Sequence, residues 1–128
     1  MRLLVDTHLL LWAVAKSRRL SKAARSLLED PANEVFFSAA SLWEIVIKSS
    51  LRKEDFGVDV AVLRPALARM GFTELPVSGA HAERLASLPP LHKDPFDRML
   101  VAQSLAEPLL LLTNDGVLGG YGESVKVV

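Results

Sequence analysis

Apolar positions along this chain form two kinds of pattern, which alternate from one end to the other. Short continuous apolar runs are typical of strands buried on both faces, and they predict strands over 3–5, 34–38, 73–77, 109–112 and 124–128. Between them, apolar residues recur at helical spacing, which predicts helices over 8–14, 21–28, 38–50, 59–70, 78–88 and 94–106. Strands that alternate with helices indicate an α/β fold with a mostly parallel sheet.

Capping and proline signals locate the starts of two helices. Asp94-Pro95 combines a favoured cap with a proline at the first helical position, which places Asp97 third in that helix. Pro65 interrupts the apolar stripe over 59–70. An uninterrupted helix is therefore expected there only if it starts late, with Pro65 near its first turn.

The composition is that of one domain without a strong electrostatic bias. The chain has 128 residues, 50% of them hydrophobic, so a single domain over 1–128 can bury a sizeable core. The formal net charge is zero, so total charge does not argue for a nucleic acid or an acidic membrane as partner. The chain has no cysteine, so a metal site would rely on oxygen ligands. The apolar stretch near the start is too short to span a membrane, and we expect a soluble, intracellular protein.

Acidic residues occupy four positions where an α/β chain would build a reactive centre. Asp6 and Asp115 directly follow predicted strands, at the edge where parallel sheets bind ligands. Asp97 lies in the first turn of its helix, and Glu44 lies in the second turn of the helix over 38–50. Carboxylates gathered from distant segments repel one another, and a bound cation is the simplest way to hold them together.

Each of these acids also has an ordinary structural explanation. Asp6 can be a helix cap, and Asp115 can be a turn residue. An acid at Asp97 is favoured by the helix dipole, typically by about 0.3 to 1 kcal/mol. Glu44 and Lys48 have the i, i+4 spacing of a surface ion pair worth about 0.2 to 0.5 kcal/mol. Apolar residues surround Glu44 on most of its helix, however, so a glutamate there would need a partner.

The donor types narrow the choice of cation and of chemistry. Carboxylate ligands without histidine or cysteine select Mg²⁺ or Mn²⁺, which retain several waters and favour phosphate-bearing substrates. The cation would lower the pKa of a water that attacks phosphorus, and it would neutralise charge on the phosphate oxygens. A second ion could stabilise the leaving oxygen, so the acids leave a count of one or two metals open. If the acids converge, they predict metal-dependent hydrolysis of a phosphate-bearing substrate.

Four motifs in this chain match a known family in their order and spacing. They are LLVDTHLLLWA around Asp6, SAASLWEIVIK around Glu44, HKDPFDRMLVAQ around Asp97, and LLTND ending at Asp115. Over essentially its whole length the chain resembles a PIN domain, specifically the VapC-type toxins of bacterial toxin–antitoxin pairs. The resemblance implies a three-layer α/β/α sandwich with a mostly parallel sheet, and the activity of a Mg²⁺- or Mn²⁺-dependent ribonuclease.

The resemblance also assigns roles to individual residues. The implied catalytic and metal-binding residues are the three core acids and a more variable fourth, here Asp6, Glu44, Asp97 and Asp115. Thr113 lies where the family often has a hydroxyl beside the metal site, although it is equally well an ordinary strand-end threonine. Asp94 belongs to the DPFD form common in this branch, which agrees with a role as the helix cap beside the site. The segment 52–63 matches no motif and receives no role.

Partners are implied by the same resemblance. Such toxins usually dimerise and are silenced by a small antitoxin whose C-terminal segment lies across the active-site groove. We therefore expect a homodimer, a hetero-oligomer with the antitoxin, and a cytoplasmic location. RNA would need cations near the groove, and the candidates by proximity in sequence are Lys48, Lys93 and Arg98, with His92 as a fourth. Isolated basic residues on such a surface are often only solubilising.

Three other functions fit the sequence less well. A PIN-like scaffold that only binds the antitoxin would not need all the acids. A signalling receiver domain is also a short Mg²⁺-binding α/β fold, but it needs paired acids after its first strand and a lysine after a late one. Here Asp6 is followed by Thr7, and the late strand leads into Asn114 and Asp115. The glycines over 119–122 do not open a helix after a strand, so they lack the context of a dinucleotide-binding fingerprint.

Overall fold

The computed structural model describes residues 1–53 and 56–128 of the chain. Its strands are β1 (Arg2–Val5), β2 (Glu34–Ser38), β3 (Thr73–Leu75), β4 (Leu110–Thr113) and β5 (Val125–Val127). Its α-helices are α1 (Thr7–Ala15), α2 (Lys22–Glu29), α3 (Ala39–Ser50), α4 (Val60–Arg69), α5 (Gly79–Leu85) and α6 (Pro95–Ala106), and a 3₁₀ helix spans Gly116–Tyr121. None of the helices in these ranges has the length and apolar character needed to cross a bilayer. Glu54 and Asp55, within the segment 52–63, lie outside the described residues.

The strands form one all-parallel sheet in the order β3-β2-β1-β4-β5. The chain builds outwards from β1 to β3 on one side and then adds β4 and β5 on the other side, which opens a crevice at the carboxyl ends of β1 and β4. Val5 lies opposite Leu112, and the Asp6 N–H donates a 3.0 Å bond to the Leu112 carbonyl. The residues that follow β1 and β4 therefore meet at one edge of the sheet.

Helices cover both faces of the sheet, as the predicted α/β/α sandwich requires. Leu3 and Val5 of β1 belong to one apolar core, and Leu4 belongs to the other. The first core also contains apolar side chains of α1, α2, α3 and α4, and the second contains those of α6 and the 3₁₀ helix. A central strand buried on both faces explains the continuous apolar run in the sequence. The predicted fold class is confirmed.

Helix α4 differs from the prediction at its start. It begins directly after Asp59, whose side chain accepts a 2.9 Å bond from the Ala61 N–H, so Pro65 lies inside the helix. The expectation that this helix starts late, with Pro65 near its first turn, was wrong. Leu63 and Leu67 are buried in the first core, and their burial offsets the loss of the one backbone bond that proline cannot donate to the Ala61 carbonyl.

Strand β3 and helix α5 end earlier than predicted. Strand β3 ends at Leu75, because Pro76 has no N–H to donate to a neighbouring strand. Helix α5 ends at Leu85 and is followed by turns before the prolines at 89 and 90. These differences affect the ends of elements and leave the crevice at β1 and β4 unchanged.

Candidate active site

Asp6 lies at the edge of the crevice because β1 ends at Val5 and α1 begins at Thr7. Its Oδ1 accepts a 3.0 Å bond from the Leu9 N–H, which makes it the cap of α1, and its Oδ2 accepts a bond from the Thr113 hydroxyl. The side chain is only 4% exposed. Burial raises the pKa of the Asp6 carboxyl above its ordinary value, and the two hydrogen bonds offset only part of this effect.

Thr113 connects two of the candidate acids. It is the last residue of β4 and is fully buried. Its hydroxyl donates to Asp6 and accepts a 3.0 Å bond from the Asp115 N–H. Both descriptions of this residue from the sequence are therefore compatible, because Thr113 ends a strand and also places its hydroxyl between two acids.

Asp115 is paired with a histidine. Its Oδ1 accepts a 3.0 Å bond from the Val117 N–H and caps the 3₁₀ helix, while its Oδ2 lies 2.8 Å from His92 Nε2. His92 Nδ1 accepts a 3.0 Å bond from the Asp94 N–H, so the neutral ring carries its proton on Nε2 and donates it to Asp115. The sequence indicated His92 only as an RNA contact. The signal in the sequence for its pairing with Asp115 was its position two residues before Asp94, beside the start of α6.

Asp97 is held among other negative charges. The Asp94 carboxylate caps α6 by accepting bonds of 2.8 Å from the Phe96 N–H and 3.1 Å from the Asp97 N–H, which fixes Asp97 in the first helical turn as predicted. Burial, followed by the charges of three further acids, raises the pKa of Asp97 to about 7; these acids are Asp94, Glu44 and Asp6. His92 Nε2, which lies 3.5 Å from Asp97 Oδ2, acts in the opposite direction.

Glu44 is buried, and both oxygens of its carboxylate have partners. It lies in the second turn of α3 and is 2% exposed. Its Oε1 accepts a 2.6 Å bond from the Thr7 hydroxyl, which also lies 2.9 Å from Ser41 Oγ. Its Oε2 accepts a bond from the Lys48 ammonium. The ion pair suggested by the spacing of Glu44 and Lys48 is present, but it lies within the acidic centre and not on a solvated helix face.

Lys48 points towards the acids. Its Nζ contacts Glu44 and lies 3.6 Å from Asp94 Oδ2. Partial burial lowers the pKa of the Lys48 ammonium, but the hydrogen bond and charge of Glu44, together with the charges of Asp94 and Asp97, outweigh this effect and raise the pKa overall. Lys48 therefore carries a permanent positive charge at neutral pH.

The other two basic candidates differ in their surroundings. Arg98 Nη1 donates to the Pro89 carbonyl at 3.1 Å and to the Tyr121 hydroxyl at 3.2 Å, so its guanidinium ties the start of α6 to the 3₁₀ helix. The Tyr121 hydroxyl also accepts a 3.1 Å bond from the His92 N–H. Lys93 is exposed to solvent. Of the three predicted RNA contacts, Lys93 is thus the one on an open surface.

The structure brings all the predicted acids to one crevice and adds His92 to them. The charge of Glu44 raises the pKa of Asp6, and both acids raise the pKa of Asp97. Among the described residues, ligand atoms of His92, Asp97 and Asp115 lie within 4.8 Å of one another. The carboxylates of this crevice fit a divalent cation such as Mg²⁺ or Mn²⁺, because acids that repel one another gain from a shared counter-ion. His92 supports Asp115 and is not counted as a ligand, since both of its ring nitrogens have hydrogen-bond partners.

Comparison with protein families adds an independent observation. A family model described as the PIN domain matches residues 3–122. The chain belongs to the PIN domain family. PIN domains are typically nucleases that depend on a divalent metal, which agrees with the acidic crevice. A search of the curated proteins found no significant match.

Solved structures share the PIN fold over nearly the whole chain. VapBC2 from Rickettsia felis, bound to a DNA fragment from their promoter, aligns with a TM-score of 0.68 at 15% identity, covering 100% of this chain and 98% of that chain. A toxin–antitoxin complex from Klebsiella pneumoniae aligns with a TM-score of 0.63 at 21% identity, covering 97% and 95%. A domain of a functionally unknown protein from Methanocaldococcus jannaschii aligns with a TM-score of 0.61 at 14% identity, covering 99% of this chain and 90% of that chain. At these identities the likeness is one of fold.

Proposed function

We propose that this PIN domain is a VapC-type toxin, an endoribonuclease that uses Mg²⁺ or Mn²⁺ to hydrolyse RNA phosphodiester bonds. The observation that carries the proposal is the convergence of the acids on one crevice, where Thr113 links Asp6 to Asp115 and His92 lies between Asp115 and Asp97. Burial beside other acids also raises the pKa of Asp97 to about 7. Such an arrangement is unfavourable without a counter-ion and favourable around a divalent cation. The motifs shared with VapC-type toxins, over what we take to be a single domain spanning 1–128, support the same function.

The proposed metal-binding and catalytic residues are Asp6, Glu44, Asp97 and Asp115. A bound cation would supply a water of lowered pKa and would neutralise charge on the scissile phosphate. The protein orients the acids through neighbouring groups: Thr113 holds the carboxylate of Asp6, and His92 holds that of Asp115. Such supporting hydrogen bonds determine the direction in which a carboxylate presents its free lone pairs.

The proposed partners are RNA, a cognate antitoxin and a second copy of the chain, all in the cytoplasm. The antitoxin is supported by the similar structures, one of which is VapBC2 and another a toxin–antitoxin complex. Lys93 is our leading RNA contact because it is exposed beside the crevice. Lys48 and Arg98 are engaged within the protein, so a contact with RNA would compete with their present partners.

The proposal is tested by inducing the wild-type protein and Asp97→Asn in growing cells and mapping RNA 5′ ends. We expect growth arrest and defined cuts with the wild type alone, and purified wild type should stop cleaving when EDTA is added. Asp30→Asn is the control, because Asp30 is an exposed turn residue outside the crevice. It should arrest growth like the wild type.

Three results distinguish the alternatives. Full cleavage by Asp97→Asn, or cleavage that persists in EDTA, would contradict a metal-dependent ribonuclease. A wild-type protein that binds its antitoxin but cuts no RNA would instead indicate a PIN-like scaffold. Labelling by a small phosphodonor would favour the receiver domain.

A further inference from the structure

A lysine ammonium lies inside the acidic centre of this protein. Lys48 is four residues after Glu44 on α3, on the same face, and its Nζ contacts Glu44 Oε2. The same Nζ lies 3.6 Å from Asp94 Oδ2. Only 23% of the Lys48 side chain is exposed. A positive charge of the protein itself therefore already lies where carboxylates gather.

Aromatic packing keeps this ammonium in place. Lys48 Nζ lies 5.0 Å from the centre of the Phe56 ring and 5.9 Å from that of the Phe96 ring. Ring faces attract cations, and the long stem of a lysine packs against apolar surface. Phe96 in turn packs edge-on against Trp43 at 4.9 Å between ring centres. The position of the ammonium is thus set by two acids and two rings, and not by Glu44 alone.

The partners of Glu44 differ from those of the other acids. Thr7 donates to one of its oxygens and Lys48 to the other, so the charge of Glu44 is balanced within the protein. Within the described part of the chain, Asp97 forms no ion pair with a lysine or an arginine, and its ion-pair partner is His92 Nε2, 3.5 Å from its Oδ2. Glu44 is therefore bonded directly to a lysine ammonium, whereas Asp97 is not.

Two-metal sites hold their ions about 3.5 to 4 Å apart, with carboxylates facing both of them. An ammonium bonded to Glu44 would repel a second divalent ion placed beside Glu44. It also occupies the Glu44 oxygen that such an ion would use. We infer that Lys48 takes the place of a second metal, so that the proposed acidic centre binds one divalent cation beside a fixed ammonium. This inference rests on the proposed metal-dependent function and specifies its metal count.

Manganese binding measures this count without any turnover. Calorimetric titration with Mn²⁺, checked by the electron paramagnetic resonance of the free ion, should give one ion per chain for the wild type. Lys48→Met, which keeps the stem and removes the charge, should bind two ions per chain. Lys48→Arg keeps the charge and should remain at one. Lys93→Met is the matched control, an exposed lysine near the crevice, and it should also remain at one.

Each other outcome overturns the inference. Two ions per wild-type chain would show that the ammonium does not exclude the second metal. One ion in Lys48→Met would show that the lysine does not determine the count, and Lys48→Gln provides the same test if the methionine variant does not fold.

The same titration separates this inference from the proposed function. No Mn²⁺ binding by the wild type would overturn both. The change from one ion to two, in a protein that cuts no RNA, would uphold the metal count and contradict only the ribonuclease.

Discussion

Thr113 donates its hydroxyl hydrogen to Asp6 across the two central strands of the sheet. Thr113 ends β4 and Asp6 follows β1, so this bond ties together the two strand ends that border the crevice. The same hydroxyl accepts the Asp115 N–H at 3.0 Å. One buried side chain thus sets the positions of two candidate metal ligands, although we assign it no direct contact with the metal.

Replacing Thr113 by valine should therefore weaken metal binding. Thr113→Val keeps the shape of the side chain but leaves Asp6 without one donor, and loss of such a supporting partner typically costs 10- to 100-fold in metal affinity or activity. The lost buried hydrogen bond should also cost about 1 to 3 kcal/mol of the free energy of unfolding. Mn²⁺ titration and chemical denaturation measure the two effects. Thr113→Ser retains the hydroxyl and should behave like the wild type, and a valine variant with wild-type affinity would contradict this role.

The metal-free protein should lose stability as the pH rises from about 4 to about 7. The pKa of Asp97 is raised from an ordinary 3.8 to about 7, so the native state holds this proton more tightly than the unfolded state does. Whenever the native state binds more protons, stability falls with rising pH. Burial raises the pKa of Asp6 too, which acts in the same direction. Thermal unfolding in EDTA across this range measures the trend.

Asp97→Asn supplies the control for the pH dependence. Asparagine cannot ionise, so the variant should show a flatter profile and should be more stable than the wild type near neutral pH in EDTA. The direction of the pH dependence is diagnostic, because a carboxylate stabilised by a salt bridge would make the protein more stable as the pH rises. A wild-type protein that gains stability over this pH range would show that Asp97 is compensated in the metal-free state.

Much of this architecture can be predicted from local sequence patterns. The continuous run from Leu3 to Val5 predicts a strand buried on both faces, and Asp94-Pro95 predicts the start of α6 and hence the placement of Asp97. Parallel strands deliver their following residues to one edge, which brings Asp6 and Asp115 together. These inferences succeed because each depends on a few neighbouring residues and on one general rule of topology.

The surroundings of the acids could not be predicted in this way. The Glu44–Lys48 spacing is the same whether the pair faces solvent or the interior, and the contact that decides it comes from Thr7, far away in sequence. The pairing of His92 with Asp115 likewise joins distant segments. Whether α4 continues through Pro65 depends on whether the burial of apolar side chains compensates for the lost backbone bond. The spacing of apolar residues in the sequence does not reveal these two energies.

Adding Mn²⁺ should stabilise the protein by an amount that grows with the logarithm of the free Mn²⁺ concentration divided by the dissociation constant. A ligand that binds only the native state contributes about 2.7 kcal/mol when its free concentration is 100 times the dissociation constant. The gain should be largest near neutral pH, where the acids are ionised and repel one another most strongly. Asp97→Asn should lose most of the gain, whereas Asp30→Asn should retain it. Equal stabilisation of both variants would place the bound metal away from Asp97.

Truncating Asp94 should reduce activity by more than its effect on stability explains. The Asp94 side chain caps α6 through the Phe96 and Asp97 N–H groups, and loss of such a cap costs about 1 kcal/mol. In Asp94→Ala the first turn that carries Asp97 loosens, and we expect a fall in kcat/KM of about 10- to 100-fold, as for other residues that orient a metal ligand. Asp94→Asn still caps a helix well and should recover most of the activity, which would separate capping from charge.

Asp59 offers a matched comparison for this cap. It caps α4 with the same type of side-chain bond, to the Ala61 N–H at 2.9 Å, but it has no part in the candidate site. Asp59→Ala should therefore lower the melting temperature by a similar amount while kcat/KM stays near that of the wild type. Cleavage rates and thermal unfolding of the two alanine variants, measured side by side, decide the question. If both variants lose activity to the same extent, Asp94 contributes only to stability, and the first turn of α6 holds Asp97 in position without it.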